Sequence, residues 1–284
     1  MNARKRLVGI AAIGASLALL LSGCSGTSDG GNDASPADDC TPVAGIETVK
    51  EGVLTVALTN TPPYSFEQDG EMTGIDSRIA QAFAEEECLT VEFAPYTYAT
   101  AIPAVEQSRV DVALGGFYRT QARADVVTLS APTYLDELSV YSTEGFSTVD
   151  ELLGKTIGTV EGYLWVDDLK NLPGTETRVY PDSVSLAKDL KAGRIDAALD
   201  GFGAAVVATE GEDYKIEVLQ ADERVASTNV PSQASILLDP KNADLSSAFD
   251  TLIDAMRADG RLVDALAEFG LPASAAEVGE PRLI

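Results

Sequence analysis

One phrase of the sequence occurs twice, and it limits the folds that the chain can adopt. Residues 106–117 read Glu-Gln-Ser-Arg-Val-Asp-Val-Ala-Leu-Gly-Gly-Phe, and residues 191–202 read Lys-Ala-Gly-Arg-Ile-Asp-Ala-Ala-Leu-Asp-Gly-Phe, so six of twelve positions are identical. Each copy has the pattern of a helix end, a short apolar strand and a turn of small residues. Two such units predict two similar α/β lobes. Because ligands bind beyond the carboxyl ends of strands in open α/β sheets, both turns are expected to face one cleft.

The composition allows two hydrophobic cores and excludes several classes of function. The chain has 284 residues, of which 45% are hydrophobic, and a formal net charge of −25. Loss of the first 23 residues removes three basic side chains and no acidic one, which leaves 17 − 45 = −28. Such a surface repels phosphate backbones and anionic lipid headgroups, so neither nucleic acid nor peripheral membrane binding is expected. Histidine is absent and the three cysteines have no metal-ligand spacing, so no metal and no cofactor are expected.

The first 23 residues have the pattern of a secretory signal. A basic start precedes an apolar run from Leu7 to Leu21, which is too short for a comfortable membrane span. The run ends in Leu-Ser-Gly-Cys24, which resembles the bacterial lipoprotein processing signal and implies cleavage before Cys24 and its lipidation. An ordinary signal peptide with an incidental cysteine is the alternative. The polar residues that follow, up to residue 45, predict a flexible tether.

Hydrophobic periodicity predicts alternating strands and helices in the folded part. In chain order we expect a strand at 53–58, a helix at 74–83 with Asp76 or Ser77 near its cap, a strand at 90–93, a helix at 101–108 and a strand at 110–114 that ends in the Gly115-Gly116 turn. The apolar stripe of residues 245–256 predicts a long helix on the first lobe. Residues 271–284 carry little pattern and are expected to form a loosely held tail.

Several short motifs, in this order and spacing, resemble the polar amino-acid family of periplasmic-type solute-binding proteins. They are Thr-Pro-Pro-Tyr-Ser-Phe at 61–66, Gly-Ile-Asp at 74–76, Ala-Ile-Pro-Ala-Val at 101–105, Arg-Val-Asp-Val-Ala-Leu-Gly-Gly at 109–116, Arg123, Leu-Ser-Ala-Pro-Thr-Tyr at 129–134, Glu-Leu-Leu-Gly-Lys-Thr-Ile-Gly at 151–158 and Ala-Asp-Gly-Arg-Leu at 258–262. The resemblance covers about residues 50–270. It implies a two-lobed type II periplasmic-binding-protein fold, in which each lobe is a mostly parallel sheet flanked by helices.

The same resemblance implies a discontinuous first lobe with the second lobe inserted in it. We place the first lobe at residues 46–138 plus 236–284 and the second at residues 139–235. A two-segment hinge is then expected near residues 138–141 and 234–237.

The resemblance also implies a ligand site. Arg123 matches the arginine that holds the α-carboxylate of the ligand, a task that suits its planar fork of donors; a surface arginine after a turn is the alternative. Gly115 and Gly116 match the turn whose main-chain groups meet the polar head of the ligand, unless they form only a tight turn. Tyr98 falls at the position of a stacking aromatic, although it could equally be a core residue.

This sequence departs from the family pattern at four positions of the site. Thr61 replaces an aromatic, so the stacking wall is thinner unless Tyr64 or Phe66 turns inward. Tyr118 and Tyr163 replace small hydroxyl residues. The ammonium-binding aspartate aligns with Gly201, one place beyond Asp200, so ammonium recognition is open. As an alternative, four aromatic side chains could form a box for a methylated ammonium, namely Tyr98, Tyr118, Tyr163 and Trp165.

A disulfide is expected between Cys40 and Cys88. Cys40 precedes the first strand and Cys88 precedes the second, so parallel strands place both at the same end of the sheet. An exported chain with two cysteines left after lipidation usually pairs them.

We therefore interpret the chain as an extracytoplasmic lipoprotein of an ABC importer, anchored at the outer face of the cytoplasmic membrane. It is expected to be a monomer, to capture an amino acid or a related small carboxylate-bearing solute between its lobes, and to meet permease subunits. One alternative is a dehydratase-like enzyme on the same fold that uses a cleft carboxylate such as Glu161. Another is a sensory or interaction lipoprotein without transport.

Overall fold

The computed structural model describes residues 40–284, which form two sheets, a short hairpin and the helices around them. The strands are β1 (Val53–Leu58), β2 (Phe66–Gln68), β3 (Glu71–Thr73), β4 (Thr90–Pro95), β5 (Val112–Tyr118), β6 (Thr128–Leu129), β7 (Leu135–Asp136), β8 (Leu138–Ser142), β9 (Thr156–Val160), β10 (Glu176–Tyr180), β11 (Ala197–Gly201), β12 (Lys215–Val218) and β13 (Ser232–Leu238). The α-helices are α1 (Ile75–Glu86), α2 (Tyr98–Glu106), α3 (Gln121–Ala124), α4 (Val149–Leu152), α5 (Val166–Lys170), α6 (Ser183–Lys191), α7 (Phe202–Thr209), α8 (Ala243–Asp259) and α9 (Arg261–Glu268). Two 3₁₀ turns lie at Ala226–Thr228 and Ala273–Ala276.

The first sheet has the strand order β4-β1-β5-β13-β6, with β7 paired to β13. Strands β4, β1 and β5 are parallel, and β13 runs antiparallel to β5. The second sheet has the order β10-β9-β11-β8-β12, in which β10, β9 and β11 are parallel and β8 is antiparallel to its neighbours. The predicted mixed α/β architecture with two largely parallel sheets is confirmed.

The two copies of the repeated phrase lead into the strands that carry the site. Strand β5 follows α2 in the first sheet, and β11 follows α6 in the second. Both strands are fully buried along their length, as expected for short apolar runs inside a parallel sheet. The repeat therefore marks equivalent places in the two sheets.

The chain crosses from one sheet to the other twice. It leaves the first sheet after Asp136 and enters the second at Leu138, and it returns between Val218 and Ser232. The two segments that the sequence suggested as crossings, 138–141 and 234–237, lie within β8 and β13. The limits of the two lobes remain a prediction.

Helix α8 packs on the first sheet, as its apolar stripe predicts. Its buried residues include Phe249, whose ring stacks on Phe83 of α1 with the centroids 3.9 Å apart. Leu245, Leu252 and Ile253 join the same hydrophobic cluster as strands β1 and β5. Burying each such side chain contributes roughly 1.5–3 kcal/mol, so this helix is a main source of stability for the first sheet.

The N-terminal end of the described chain is fixed to helix α1. Cys40 and Cys88 form the predicted disulfide, with a Cα–Cα distance of 5.8 Å. The buried carboxylate of Glu87 accepts hydrogen bonds from the backbone N–H groups of Ala44 and Gly45. Residues 40–45, which the sequence placed in the tether, are therefore held. The predicted signal peptide, Cys24 and the rest of the tether lie outside the described residues.

The C-terminal segment is not a loose tail, contrary to the prediction. The buried side chain of Gln233 donates to the carbonyls of Val278 and Glu280 at 2.8 Å and accepts from the N–H of Arg282 at 2.8 Å. At the end, Ile284 exchanges backbone hydrogen bonds with Arg119 and Gln121. We call residues 277–284 the C-terminal strap. The sequence did not reveal it because backbone groups, which have no sequence pattern, make most of these bonds.

No helix within residues 40–284 is both long enough and apolar enough to cross a membrane.

Candidate functional site

A cavity between the two sheets gathers most of the predicted site residues. The space along its walls that protein atoms do not fill is about 240 Å³, with the open solvent at its mouth included. The first sheet and its loops contribute Tyr64, Tyr98, Gly115, Gly116 and Tyr118, and β7 contributes Asp136. The second sheet and its loops contribute Tyr163, Leu164, Trp165 and Gly201. Because the walls come from both sheets, a movement of one sheet relative to the other would change the cavity.

Gly115 and Gly116 lie inside strand β5 and not in a turn after it, which corrects the prediction. Pairing of β5 with β1 ends at Leu114, and pairing with β13 is interrupted between Ala113 and Phe117. The N–H groups of the two glycines can therefore bond to groups outside the sheet. A side chain at Gly116, whose φ is 63°, would lie 2.9 Å from the ring of Tyr64. Glycine is thus required for the aromatic ring to approach the strand.

The N–H groups of both glycines are already bound by Asp76. Its Oδ2 accepts from Gly115 at 3.0 Å and from Gly116 at 2.8 Å, while its Oδ1 accepts from the hydroxyl of Tyr134 at 2.9 Å. Asp76 therefore supports the strand from within and does not cap α1, whose N-cap is Gly74 without a side-chain bond. Burial raises the pKa of Asp76 to about 6, although these three donors oppose the rise.

Asp136 is a site residue that the sequence analysis missed. Its Oδ2 accepts hydrogen bonds from the hydroxyls of Tyr64 at 2.6 Å and Tyr118 at 2.7 Å. Burial raises the pKa of Asp136 to about 6. The hydrogen bonds from the two tyrosines and from the backbone N–H groups of Glu137 and Gly203 lower the pKa but do not cancel this rise. Nothing in the surrounding Tyr-Leu-Asp-Glu-Leu sequence marks this aspartate, because only the tertiary fold brings the two tyrosines to it.

Asp200 lies at the end of β11 with no exposed surface. Its Oδ1 accepts from the hydroxyl of Tyr163 at 2.9 Å and from the N–H of Gly201 at 2.8 Å. Its Oδ2 is buried without a hydrogen-bond partner among the described residues. Burial, opposed by these donors and by Ser183, raises the pKa of Asp200 to about 7. An unpartnered buried carboxylate oxygen is costly and suits a cation or another donor.

Arg123 is buried, with 6% of its surface exposed, and stands behind the aromatic wall of the cavity. Its guanidinium carbon lies 5.3 Å from the ring centroid of Tyr98 and 5.4 Å from that of Phe117. Its Nη1 donates to the carbonyl of Tyr118 at 2.7 Å. Burial raises the pKa of Tyr98 to about 12, although the charge of Arg123 opposes this. The alternative of an exposed surface arginine is thus wrong.

The aromatic side chains form one continuous wall. The ring of Tyr98 stacks on Phe117 at 4.2 Å and meets Tyr163 edge to face at 4.5 Å. Trp165 follows, 5.0 Å from Tyr163 and 5.8 Å from Tyr118 between ring centroids. All four residues of the proposed aromatic box therefore come together. The box as a site for a methylated ammonium stays a prediction.

Thr61 stands where the family pattern has an aromatic residue. Of the two aromatic residues close to it in the sequence, one lines the cavity and the other does not. Thr61 is buried and shares a hydrogen bond with Thr59. Tyr64 turns inward and supplies an aromatic face to the cavity. Phe66 instead packs edge to face on Phe269. Glu161, the carboxylate of the enzyme alternative, is exposed.

Among residues 40–284, no group of three or more acidic or cysteine side chains is arranged to hold a metal ion.

A family model described as "Bacterial extracellular solute-binding proteins, family 3" matches residues 54–271. Among curated relatives, the L-cystine-binding protein TcyJ of Escherichia coli K12 is 28% identical over 226 residues, which cover 76% of this chain and 82% of that protein. The putative ABC transporter arginine-binding protein 2 of the same strain is 25% identical over 217 residues, 75% of this chain and 88% of that one.

Solved structures share the fold at lower identity. The amino acid ABC transporter substrate-binding protein AbpA from Streptococcus pneumoniae, bound to L-arginine, superposes with a TM-score of 0.70 at 22% identity, covering 80% of this chain and 96% of the other. A solute receptor for L-cysteine from Neisseria gonorrhoeae gives 0.68 at 22% identity, covering 83% and 98%.

Proposed function

Because the chain belongs to the bacterial extracellular solute-binding proteins of family 3, we propose that it captures an amino acid or a related small carboxylate-bearing solute for an ABC importer. The observation that carries this proposal is the cavity between the two sheets, which aromatic side chains line and which has the buried guanidinium of Arg123 behind the ring of Tyr98. The named functions of the relatives, binding of cystine and arginine, agree with such a ligand.

We assign the α-carboxylate of the ligand to Arg123 and its α-ammonium to Asp200. The guanidinium can offer a planar pair of donors to a carboxylate, and a dry cavity makes such a pair strong. The Oδ2 of Asp200 has no partner among the described residues, so an ammonium group would satisfy it. The aromatic wall supplies contact area at a low cost in side-chain entropy.

Binding is proposed to close a hinge. Each sheet contributes part of the cavity wall, so the complete site exists only when the two halves approach. The two crossings of the chain, at 137 and between 218 and 232, are where this motion would occur.

The protein is proposed to work as a lipid-anchored monomer at the outer face of the cytoplasmic membrane. This rests on the signal pattern and Cys24, and on the extracellular family. Permease subunits of the importer are the proposed partners.

A ligand screen tests the proposed function. We expect one or a few L-amino acids to raise the melting temperature of the purified protein, since a ligand that binds only the folded state stabilises it. Calorimetry should then give one site per chain. If no amino acid or small carboxylate in the screen shifts melting, the proposal is wrong.

A further inference from the structure

The buried part of the site holds more negative than positive side chains. Asp76, Asp136 and Asp200 are each at least 96% buried, and Arg123 is the only arginine of the described residues that is buried as well. None of the ion pairs formed within residues 40–284 includes any of these three carboxylates. A buried carboxylate without a cation is unfavourable even when it is hydrogen-bonded, so this excess needs a reason.

Of the three carboxylates, Asp136 is the one that lines the cavity. Asp76 is occupied by the N–H groups of the strand and by Tyr134. Asp200 is assigned to the α-ammonium under the proposed function. Asp136 has only neutral donors, which are the hydroxyls of Tyr64 and Tyr118 and two backbone N–H groups. These donors orient the carboxylate oxygens, but none of them is positively charged, so no cation balances the negative charge of Asp136.

Gly201 lies between Asp136 and Asp200. Its N–H donates to Asp200 at 2.8 Å. A side chain at this position would lie 2.3 Å from Oδ2 of Asp136 and 2.5 Å from the hydroxyl of Tyr64. The glycine thus leaves room for Asp136 next to Asp200. Two carboxylates on either side of one glycine favour a ligand with two positive groups a few bonds apart.

We propose that Asp136 is a specificity-determining residue that receives a second cationic group, so that the solute is an amino acid with a positively charged side chain. This inference rests on the proposed function. An amino acid with a neutral side chain would pair its α-carboxylate with Arg123 and its α-ammonium with Asp200, and would leave Asp136 unpaired. An amino acid with a cationic side chain would pair with Asp136 as well. The rings of Tyr64 and Tyr118, which already approach this carboxylate, would border the cation.

Ligand pairs of similar size that differ in charge test the proposal by calorimetry on the whole protein. The probes are L-arginine against L-citrulline and L-ornithine against L-glutamine. We expect the wild type to bind at least one cationic member at least about 30-fold more tightly than its neutral counterpart, the effect of a lost partner in a buried charge pair. In Asp136→Asn, this preference should fall to within about threefold, while binding of the neutral member changes by less than about threefold.

Asp213→Asn is the matched control. Asp213 is exposed and does not line this cavity, so the same Asp→Asn replacement removes the same charge outside the site. The preference of this variant should equal that of the wild type. An equal loss in both variants, or a preference retained in Asp136→Asn, overturns the assignment.

The wild-type comparison decides the question even if Asp136→Asn does not fold. Wild-type protein that binds both members of each pair within threefold of one another overturns this inference and leaves the proposed function intact. Failure of all four probes, and of every other amino acid, to bind overturns both.

Discussion

At the scale of single residues, Arg123 carries the first prediction. Replacing it by alanine should weaken binding of the identified ligand about 30-fold to several-thousand-fold, because the buried ligand carboxylate would lose its charged partner, worth ~2–5 kcal/mol. Arg123→Lys should restore only part of the affinity, since an ammonium cannot form the planar pair of bonds. Calorimetry measures both.

Arg109→Ala is the control for this experiment. Arg109 is exposed and lies on the same segment of the chain, so its loss should change binding by less than about twofold. Folded Arg123→Ala protein that binds within threefold of the wild type would show that this arginine does not hold the ligand.

The sequence identified the residues of the cavity better than it identified their bonds. Tyr64, Tyr98, Tyr118 and Tyr163 were expected at the site and all line the cavity. Asp136 was missed, because its role depends on two hydroxyls that arrive from distant parts of the chain. Residue type and motif position predict which groups gather at the ends of strands, but not which hydrogen bonds they form.

At the scale of elements, the disulfide tests how the N-terminal segment is held. Replacing Cys40 and Cys88 together by serine should lower the free energy of unfolding by roughly 4 kcal/mol, because the bond restricts a loop of 48 residues in the unfolded chain. Urea titration of both proteins measures the difference. A reducing agent should lower the stability of the wild type and leave that of the double variant unchanged; equal stabilities without reductant would contradict the expectation.

The C-terminal strap gives a second prediction at this scale. Deleting residues 281–284 removes the bond from Arg282 to Gln233 and the exchange between Ile284 and the Arg119 region. A buried acceptor on Gln233 then loses its partner, which costs about 1–3 kcal/mol. Thermal unfolding should show the loss. Leu283→Ala, at a side chain 40% exposed, should stay within about 0.5 kcal/mol of the wild type.

Elements with apolar periodicity were predictable and the strap was not. Strand β1 and the buried face of α8 follow directly from their hydrophobic spacing. The strap is held through its backbone carbonyl groups, which accept hydrogen bonds from the side chain of Gln233. Hydrogen bonds to backbone groups leave no pattern in the sequence. Strand β5 was predicted to stop at Leu114 because two glycines follow. The strand continues through them, since the carboxylate of Asp76 accepts from the N–H groups of Gly115 and Gly116 that the neighbouring strands do not bind.

At the scale of the whole molecule, pH should alter stability through the buried aspartates. Burial raises the pKa values of Asp76 and Asp136 to about 6 and that of Asp200 to about 7, above the ordinary 3.8. The folded protein therefore binds more protons than the unfolded chain between about pH 4 and 7. The stability that this contributes is complete below about pH 4 and is lost as the pH rises through 6 to 7.

The ligand-free protein should thus be less stable at pH 8 than at pH 5 by a few kcal/mol, at about 1.4 kcal/mol for each pKa unit. Urea titrations across this range measure the slope. Asp200→Asn should make the slope shallower, and a stability that rises from pH 5 to pH 8 would contradict the assignment of these groups.

Hinge closure is the other prediction for the whole molecule. Small-angle scattering should give a smaller radius of gyration with saturating ligand than without it, because closure draws the two sheets together. Arg123→Ala at the same ligand concentration serves as the control and should keep the ligand-free value. An unchanged radius in the saturated wild type would count against a moving hinge.

Trp165 gives the molecule a built-in optical reporter. It is the one tryptophan of the chain, it is 2% exposed, and its ring belongs to the cavity wall between Tyr118 and Tyr163. Its Nε1 donates to the hydroxyl of Thr159 at 2.7 Å, which fixes the indole in place. All indole emission therefore originates at the cavity, and a solute that enters it changes the surroundings of the only indole. Ligand capture can be timed by stopped-flow fluorescence on unlabelled protein, with no background from any other indole.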